Sequence, residues 1–80
     1  MTLDTRRLAL PSLIQPSEPF TNREIQVVRL LAEGLCEKQI AGRLAIKTCT
    51  VHTHVVSMYR KSNSSCHVTL VLAAQRYGYL

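Results

Sequence analysis

Between residues 20 and 80 the apolar positions recur at helical spacing in four runs, each closed by a helix-stopping signal. The first opens on Thr21-Asn22-Arg23-Glu24, a capping box in which the threonine hydroxyl accepts from the amide three residues on and Glu24 reaches back. Val27, Val28, Leu31 and Ala32 follow on one face, Phe20 is placed to staple against Ile25, and Gly34 supplies a left-handed stop. The second run covers about Glu37 to Leu44, with Ile40, Ala41 and Leu44 on its apolar face. Its cap position holds Cys36, a poor acceptor, and Gly42 weakens its interior. Ala45-Ile46-Lys47 then makes a tight turn, in which Ile46 is the apolar plug between two closely crossing helices.

The third run, from about Thr48 to Lys61, has two distinct faces. Val51, His54 or Val55, Met58 and Ser62 share one; Cys49, His52, Thr53, Val56 and Arg60 share the other. Asn63-Ser64-Ser65 breaks the pattern. The fourth run, about Cys66 to Tyr77, places Leu70, Ala73, Ala74 and Tyr77 on one face, Val68, Val71 and Leu72 on a second, and Gly78 at its end. Upstream, Pro11, Pro16 and Pro19 deny a helix its amide donors, so residues 1–19 read as a flexible or extended arm with a short turn at Asp4–Leu10. The pattern predicts an all-α fold: a four-helix bundle over residues 20–80 whose middle helices form a helix-turn-helix.

Charge adds a direction to this picture. The first 37 residues hold Arg6, Arg7, Arg23 and Arg29 against Asp4, Glu18, Glu24, Glu33 and Glu37. From residue 38 onward come Lys38, Arg43, Lys47, Arg60, Lys61 and Arg76, with no Asp or Glu at all. A half without carboxylates projects a positive field, and polyanions are its natural partners. Eighty residues make one small domain with a thin core, which excludes a large interdomain cleft. No acid, base and nucleophile are grouped as a catalytic triad requires, so no enzyme is expected.

The cysteines, Cys36, Cys49 and Cys66, are odd in number and contain no CxxC, which argues against a disulfide framework and for a reducing cytosol. They are expected as small buried or half-buried fillers. Cys49, His52 and His54, with Cys66-His67, contain potential zinc ligands, but His54 faces inward in the helical reading and no metal site or other cofactor is expected. Arg6-Arg7 is followed only by Leu8-Ala9-Leu10 before Pro11, too short for a signal peptide, and no apolar run is long enough to span a bilayer. A soluble cytoplasmic protein associated with the nucleoid, without membrane contact, is the expectation.

Helix, three-residue turn, helix is the arrangement whose second helix enters the major groove of DNA. The outward face of the third helix would meet base edges, and Thr50 at its start would meet a phosphate with the help of nearby amides. Residues 20–80 resemble the LuxR/GerE-type DNA-binding domain of bacterial transcription regulators. The resemblance is carried by Phe20-Thr21-Asn22-Arg23-Glu24, Leu30-Leu31-Ala32-Glu33-Gly34-Leu35, Lys38-Gln39-Ile40-Ala41, Leu44, Ile46, Thr50-Val51-His52-Thr53-His54, Leu70-Val71 and Gly78.

That resemblance implies sequence-specific binding of double-stranded DNA, as a dimer built on the fourth helix, with RNA polymerase as a further partner. It implies phosphate contacts from Lys38, Lys47 and Thr50, base contacts from His52, Thr53 and Val56, and a further phosphate contact from Arg60. This chain departs from the family in several places. His52 stands where Lys is common, and Val56, where a polar residue is common, can only touch a thymine methyl. Cys36 and Lys47 replace hydroxyl caps, Ala45 replaces the turn glycine, and His67 and Thr69 replace Arg and Glu. Ser62 and Ser64 replace Leu and Val, a loss on the order of several kcal/mol unless something compensates.

The second apolar face of the fourth helix (Val68, Val71, Leu72) reads as an isologous dimer seam, for a homodimer or for pairing with a related regulator; packing against the proline-containing arm is the alternative. The chain reads as lacking a receiver or ligand-sensing domain, so control is expected from concentration, a partner or the arm. A different class of function also fits: an interaction module that pairs with a homologous regulator through its fourth helix and modulates it.

Overall fold

The computed structural model describes residues 16–80, and within them four helices and no strand: α1 (Asn22–Ala32), α2 (Glu37–Leu44), α3 (Thr48–Ser62) and α4 (His67–Tyr77). The turn expected at Asp4–Leu10 lies outside the described residues. The all-α expectation holds, with α3 running one residue further than its periodicity predicted and Cys66 serving as the cap of α4. Helices α1 and α3 each pack against all three others. The core they enclose is small: Val27, Val28, Ile40, Val51, Val55, Met58, Leu70 and Ala74 are wholly buried. Each such large side chain contributes about 1.5–3 kcal/mol by leaving water.

All four helices stop in the same way. The residue after the last turn takes a left-handed conformation, and the following amide donates back across the turn: Leu35 to Leu30 O, Ile46 to Ala41 O, Ser64 to Tyr59 O and Tyr79 to Ala74 O, at 3.0–3.2 Å. The left-handed residues are Gly34, Ala45, Asn63 and Gly78. Glycine enters that region without strain and asparagine tolerates it. Ala45, at φ 58°, is the strained member, and it lies in the turn between α2 and α3.

The start of α1 is built as its sequence predicts. Glu24 N donates to Thr21 Oγ1 at 3.1 Å, and Thr21 N donates to Glu24 Oε1 at 2.9 Å. The same carboxylate does more than cap. Lys61 Nζ, from the last turn of α3, donates to Glu24 Oε1 at 2.8 Å, and the two side chains are only 9% and 4% exposed. Lys61 Nζ also donates to Pro19 O at 3.1 Å, while Ser17 donates through both its amide and its hydroxyl to Lys61 O. Residues 17–19, read from sequence as part of a flexible arm, are thus tied to the end of α3. Burial of the Glu24 carboxyl pushes its pKa up, but hydrogen bonds from Lys61, the Thr21 amide and the Ser57 hydroxyl, together with the Lys61 charge, hold it below the usual carboxylate range.

The chain's end closes on the same region. Phe20 stacks on Tyr79 with ring centroids 4.8 Å apart and meets Tyr77 edge-on at 6.0 Å. Phe20 N donates to the Tyr79 hydroxyl at 3.1 Å, and Arg29 Nε donates to Tyr79 O at 3.3 Å. Phe20 is buried by these rings and the core rather than by a local staple alone.

Ser62 and Ser64 answer the cost expected of them. The Ser62 hydroxyl sits 2.7 Å from Met58 O, to which it can donate, and 2.7 Å from the Ser64 hydroxyl, so the two half-buried groups satisfy each other. Beside the pair lies a shallow hollow lined by Ser62, Ser64, Leu72 and Arg76 among others. The cysteines correct an expectation: Cys36, Cys49 and Cys66 are free and all exposed, because two occupy helix caps and the third lies on the outer face of α3.

Two outcomes test this architecture. Ala45→Gly relieves left-handed strain but loosens the unfolded chain, so the net gain is about 0.5–1 kcal/mol in urea unfolding. The Glu24 pKa is lowered on folding, so its contribution is complete above the ordinary carboxylate range and is lost as pH falls through the lower folded value. Lys61→Met leaves a buried carboxylate unpaired; it costs about 3 kcal/mol at neutral pH, and the gap to wild type narrows in acid as Glu24 takes up a proton.

Candidate nucleic-acid interface

The turn between α2 and α3 sets which side of α3 faces out. Ala45 N donates to Gly42 O at 3.4 Å and Ile46 N to Ala41 O at 3.0 Å, which reverses the chain within three residues. Ile46 packs half-buried against the core beside Leu44. Once α3 is held there, Val51, Val55 and Met58 go inside, each 0% exposed. Its 3.6-residue period then puts Cys49, His52, Thr53, Val56 and Arg60 outside, and all five are exposed. Thr50 in the first turn, Lys47 at the N-cap and Lys38 in the first turn of α2 are exposed as well. The seven residues expected to meet DNA therefore all lie on accessible surface of the helix-turn-helix.

Three details define the chemistry of that surface. First, α3 has no acidic residue in its opening turn, and the side chain of its cap, Lys47, makes no capping hydrogen bond. Positive charge and helix dipole coincide at that end. Second, the Thr53 hydroxyl donates to Cys49 O at 3.0 Å. Its hydrogen is spent within the helix, so Oγ1 can only accept from a further partner. Third, His52 Nδ1 lies 3.0 Å from Glu37 Oε1, which joins α3 to the first turn of α2.

Charge is distributed differently from its sequence count. Lys61 is sequestered by Glu24, which leaves Lys38, Arg43, Lys47, Arg60 and Arg76 as the exposed cations of the basic half. Among the described residues, no three His, Cys, Asp or Glu side chains gather as metal ligands would, and no helix is long and apolar enough to cross a membrane.

On α4 the expected seam divides. Val68 and Leu72 are 69% and 49% exposed, whereas Val71 is half-buried and packs against the core. Together with Leu31 and Ala32 of α1 they line a shallow apolar hollow.

Residues that the periodicity did not single out are Glu37, Lys61 and His67. Glu37 bridges His52 and His67, the latter through Oε2 at 3.2 Å. No spacing rule connects positions 37, 52 and 67; the one available signal was Glu37 standing as the last acid before a wholly basic half.

A four-helix chain whose two middle helices are set by a tight left-handed turn, with a polar and cationic outer face, defines a helix-turn-helix DNA-binding domain. Residues 18–74 match the model of the GerE family, described as bacterial regulatory proteins of the luxR family, and the chain belongs to that family of DNA-binding transcription regulators. Its fold is also similar to a solved structure, the response regulator ChrA of a heme-sensing two-component system, with TM-score 0.76 and 28% sequence identity. That match covers 89% of this chain and 35% of the response regulator, so this chain spans about a third of that protein's length.

Proposed function

We propose that this chain binds double-stranded DNA in a sequence-specific manner, with α3 in the major groove, and regulates transcription as a dimer paired through α4. The observation that carries the reading is the division of α3: Val51, Val55 and Met58 are sealed inside while Thr50, His52, Thr53 and Val56 are exposed and flanked by Lys38, Lys47 and Arg60. A single helix fits the major groove, and an uncharged reading face between cations matches base edges between phosphate rows. Lys38, Lys47, Thr50 and Arg60 hold the backbone. His52, Thr53 and Val56 face the bases, with Thr53 Oγ1 accepting from amino hydrogens and Val56 lying on a thymine methyl. The exposed apolar pair Val68 and Leu72 supports pairing with a second copy or a related regulator, which would place two α3 helices one helical turn of DNA apart. RNA polymerase is a further partner of the bound dimer in this reading.

Selection of duplexes from a random pool, followed by binding titrations across a salt series, tests it. Affinity falls steeply with salt, and one sequence family is enriched. Failure to bind any duplex at low salt would favour the interaction module that acts through α4. Lys38→Ala weakens all duplexes alike and shallows the salt slope by about one unit. Thr53→Val keeps the methyl shape but removes the acceptor, so it changes the preferred base at one position at a cost of about 1–3 kcal/mol for the original site. For the seam, Leu72→Glu leaves the helical circular dichroism unchanged and abolishes dimers in sedimentation on DNA; a wild type that is monomeric on its site would contradict the seam.

A further inference from the structure

A three-residue hydrogen-bond chain runs from the outer face of α3 to the start of α4. Glu37 Oε1 lies 3.0 Å from His52 Nδ1, and Glu37 Oε2 lies 3.2 Å from His67 Nε2. An ionised carboxylate can only accept, so the hydrogens sit on His52 Nδ1 and on His67 Nε2. The carboxylate is held from both sides and is 21% exposed, whereas the His52 ring is 62% exposed. Fixing one ring nitrogen decides the character of the other. His52 Nε2 is left as an acceptor on the neutral ring and becomes a donor on the protonated one.

Other ionisable groups border this chain: Lys38 follows Glu37 on α2, Cys49 precedes His52 by one turn on α3, and Tyr59 of α3 and Cys66 at the start of α4 lie beside Glu37 and His67. Tyr59 lies with its ring 6.4 Å from that of His67. Its hydroxyl is pushed above the ordinary tyrosine range by burial and then by the charges of Glu37 and Cys66. The exposed Cys66 thiol is held below its ordinary range by hydrogen bonds from the Thr69 hydroxyl and amide and the Val68 amide. Among the described residues, both side-chain hydrogen-bond partners of Glu37 are histidines and neither is lysine or arginine.

We propose that Glu37 is a specificity-determining positioning residue: by fixing the proton of His52 on Nδ1, it makes the base read by Nε2 depend on the protonation of that ring. This inference rests on the reading that His52 meets a base edge. The neutral ring accepts from adenine N6 or cytosine N4, and the protonated ring donates to guanine N7 or O6. The same site is therefore read in two ways according to the charge on the ring. Support from His67 on the second carboxylate oxygen keeps Glu37 from rotating away. The added positive charge strengthens binding to every duplex, so relative preference at one base pair is the quantity that isolates the effect.

The test uses the full chain with duplexes that differ at single base pairs, at about pH 5.5 and about pH 8, the span over which histidine charge changes. At the position whose preference is erased by His52→Ala, acidification of the wild type raises guanine over adenine or cytosine about tenfold, the size of one base contact. Glu37→Gln loses that pH dependence, because its amide can donate to Nδ1 and release the proton to Nε2. Without DNA, long-range proton–nitrogen NMR of the wild type at about pH 8, where imidazoles are mostly neutral, shows the His52 proton on Nδ1. Base preference unaltered by His52→Ala would overturn the base contact itself. Preference altered by His52→Ala but identical in Glu37→Gln and wild type at both pH values would overturn this inference alone. So would a His52 proton found on Nε2 in the free wild type.

Discussion

Which side of α3 goes inside is decided by the burial of Val51, Val55 and Met58 in the core that α3 forms with the other three helices, and the character of its outer face follows from that choice. Rotating the helix by one residue would expose these three side chains and turn His52 or Val56 inward, at about 1.5–3 kcal/mol for each apolar group returned to water. In a domain this small that sum approaches the whole stability. The outer face of α3 is therefore presented by the core and needs no scaffold of its own. The turn at Ala45 contributes the crossing geometry, and it does so at a strained left-handed residue where glycine would rest more easily.

The second constraint is electrostatic. A thin core cannot hold four short helices and the segments that flank them by burial alone. Glu24 and Lys61 supply a polar hub that joins the start of α1, the end of α3 and the carbonyl of Pro19. A nearly buried ion pair costs desolvation, which extra hydrogen bonds must offset. Here the Thr21 amide and the Pro19 carbonyl provide them. The stacked Phe20 and Tyr79 close the same corner and bring the last residues of the chain back to the first helix. One consequence reaches the surface: Lys61, spent on structure, leaves the outer face of α3 framed by Lys38, Lys47 and Arg60.

Local signals were strong enough to reveal the helices. The capping box at Thr21 and Glu24, the stops at Gly34, Asn63 and Gly78, and the two faces of α3 are all short-range regularities, and each reappears in the structure. Exposure of the seven residues assigned to DNA follows from the helical period for the same reason. Long-range pairings leave no such trace. Glu24 meets Lys61, Phe20 meets Tyr79, and Glu37 meets both His52 and His67 across gaps that no periodicity encodes. The cysteines were misplaced because small apolar size suggested filler, while position at caps and on the outer face of α3 decided their exposure. The cost expected of Ser62 and Ser64 holds only if nothing compensates, and in the structure the two form a hydrogen-bonded pair.

The measurement that bears most directly on the central claim is an amide-resonance titration of the isotopically labelled chain with duplex oligonucleotides drawn from its own selected site. The account predicts that the largest shifts fall on residues 47–60 and on the first turn of α2, with the buried amides of α1 nearly still. Shifts concentrated on α4 or on the chain ends, with residues 47–60 unmoved, would contradict it.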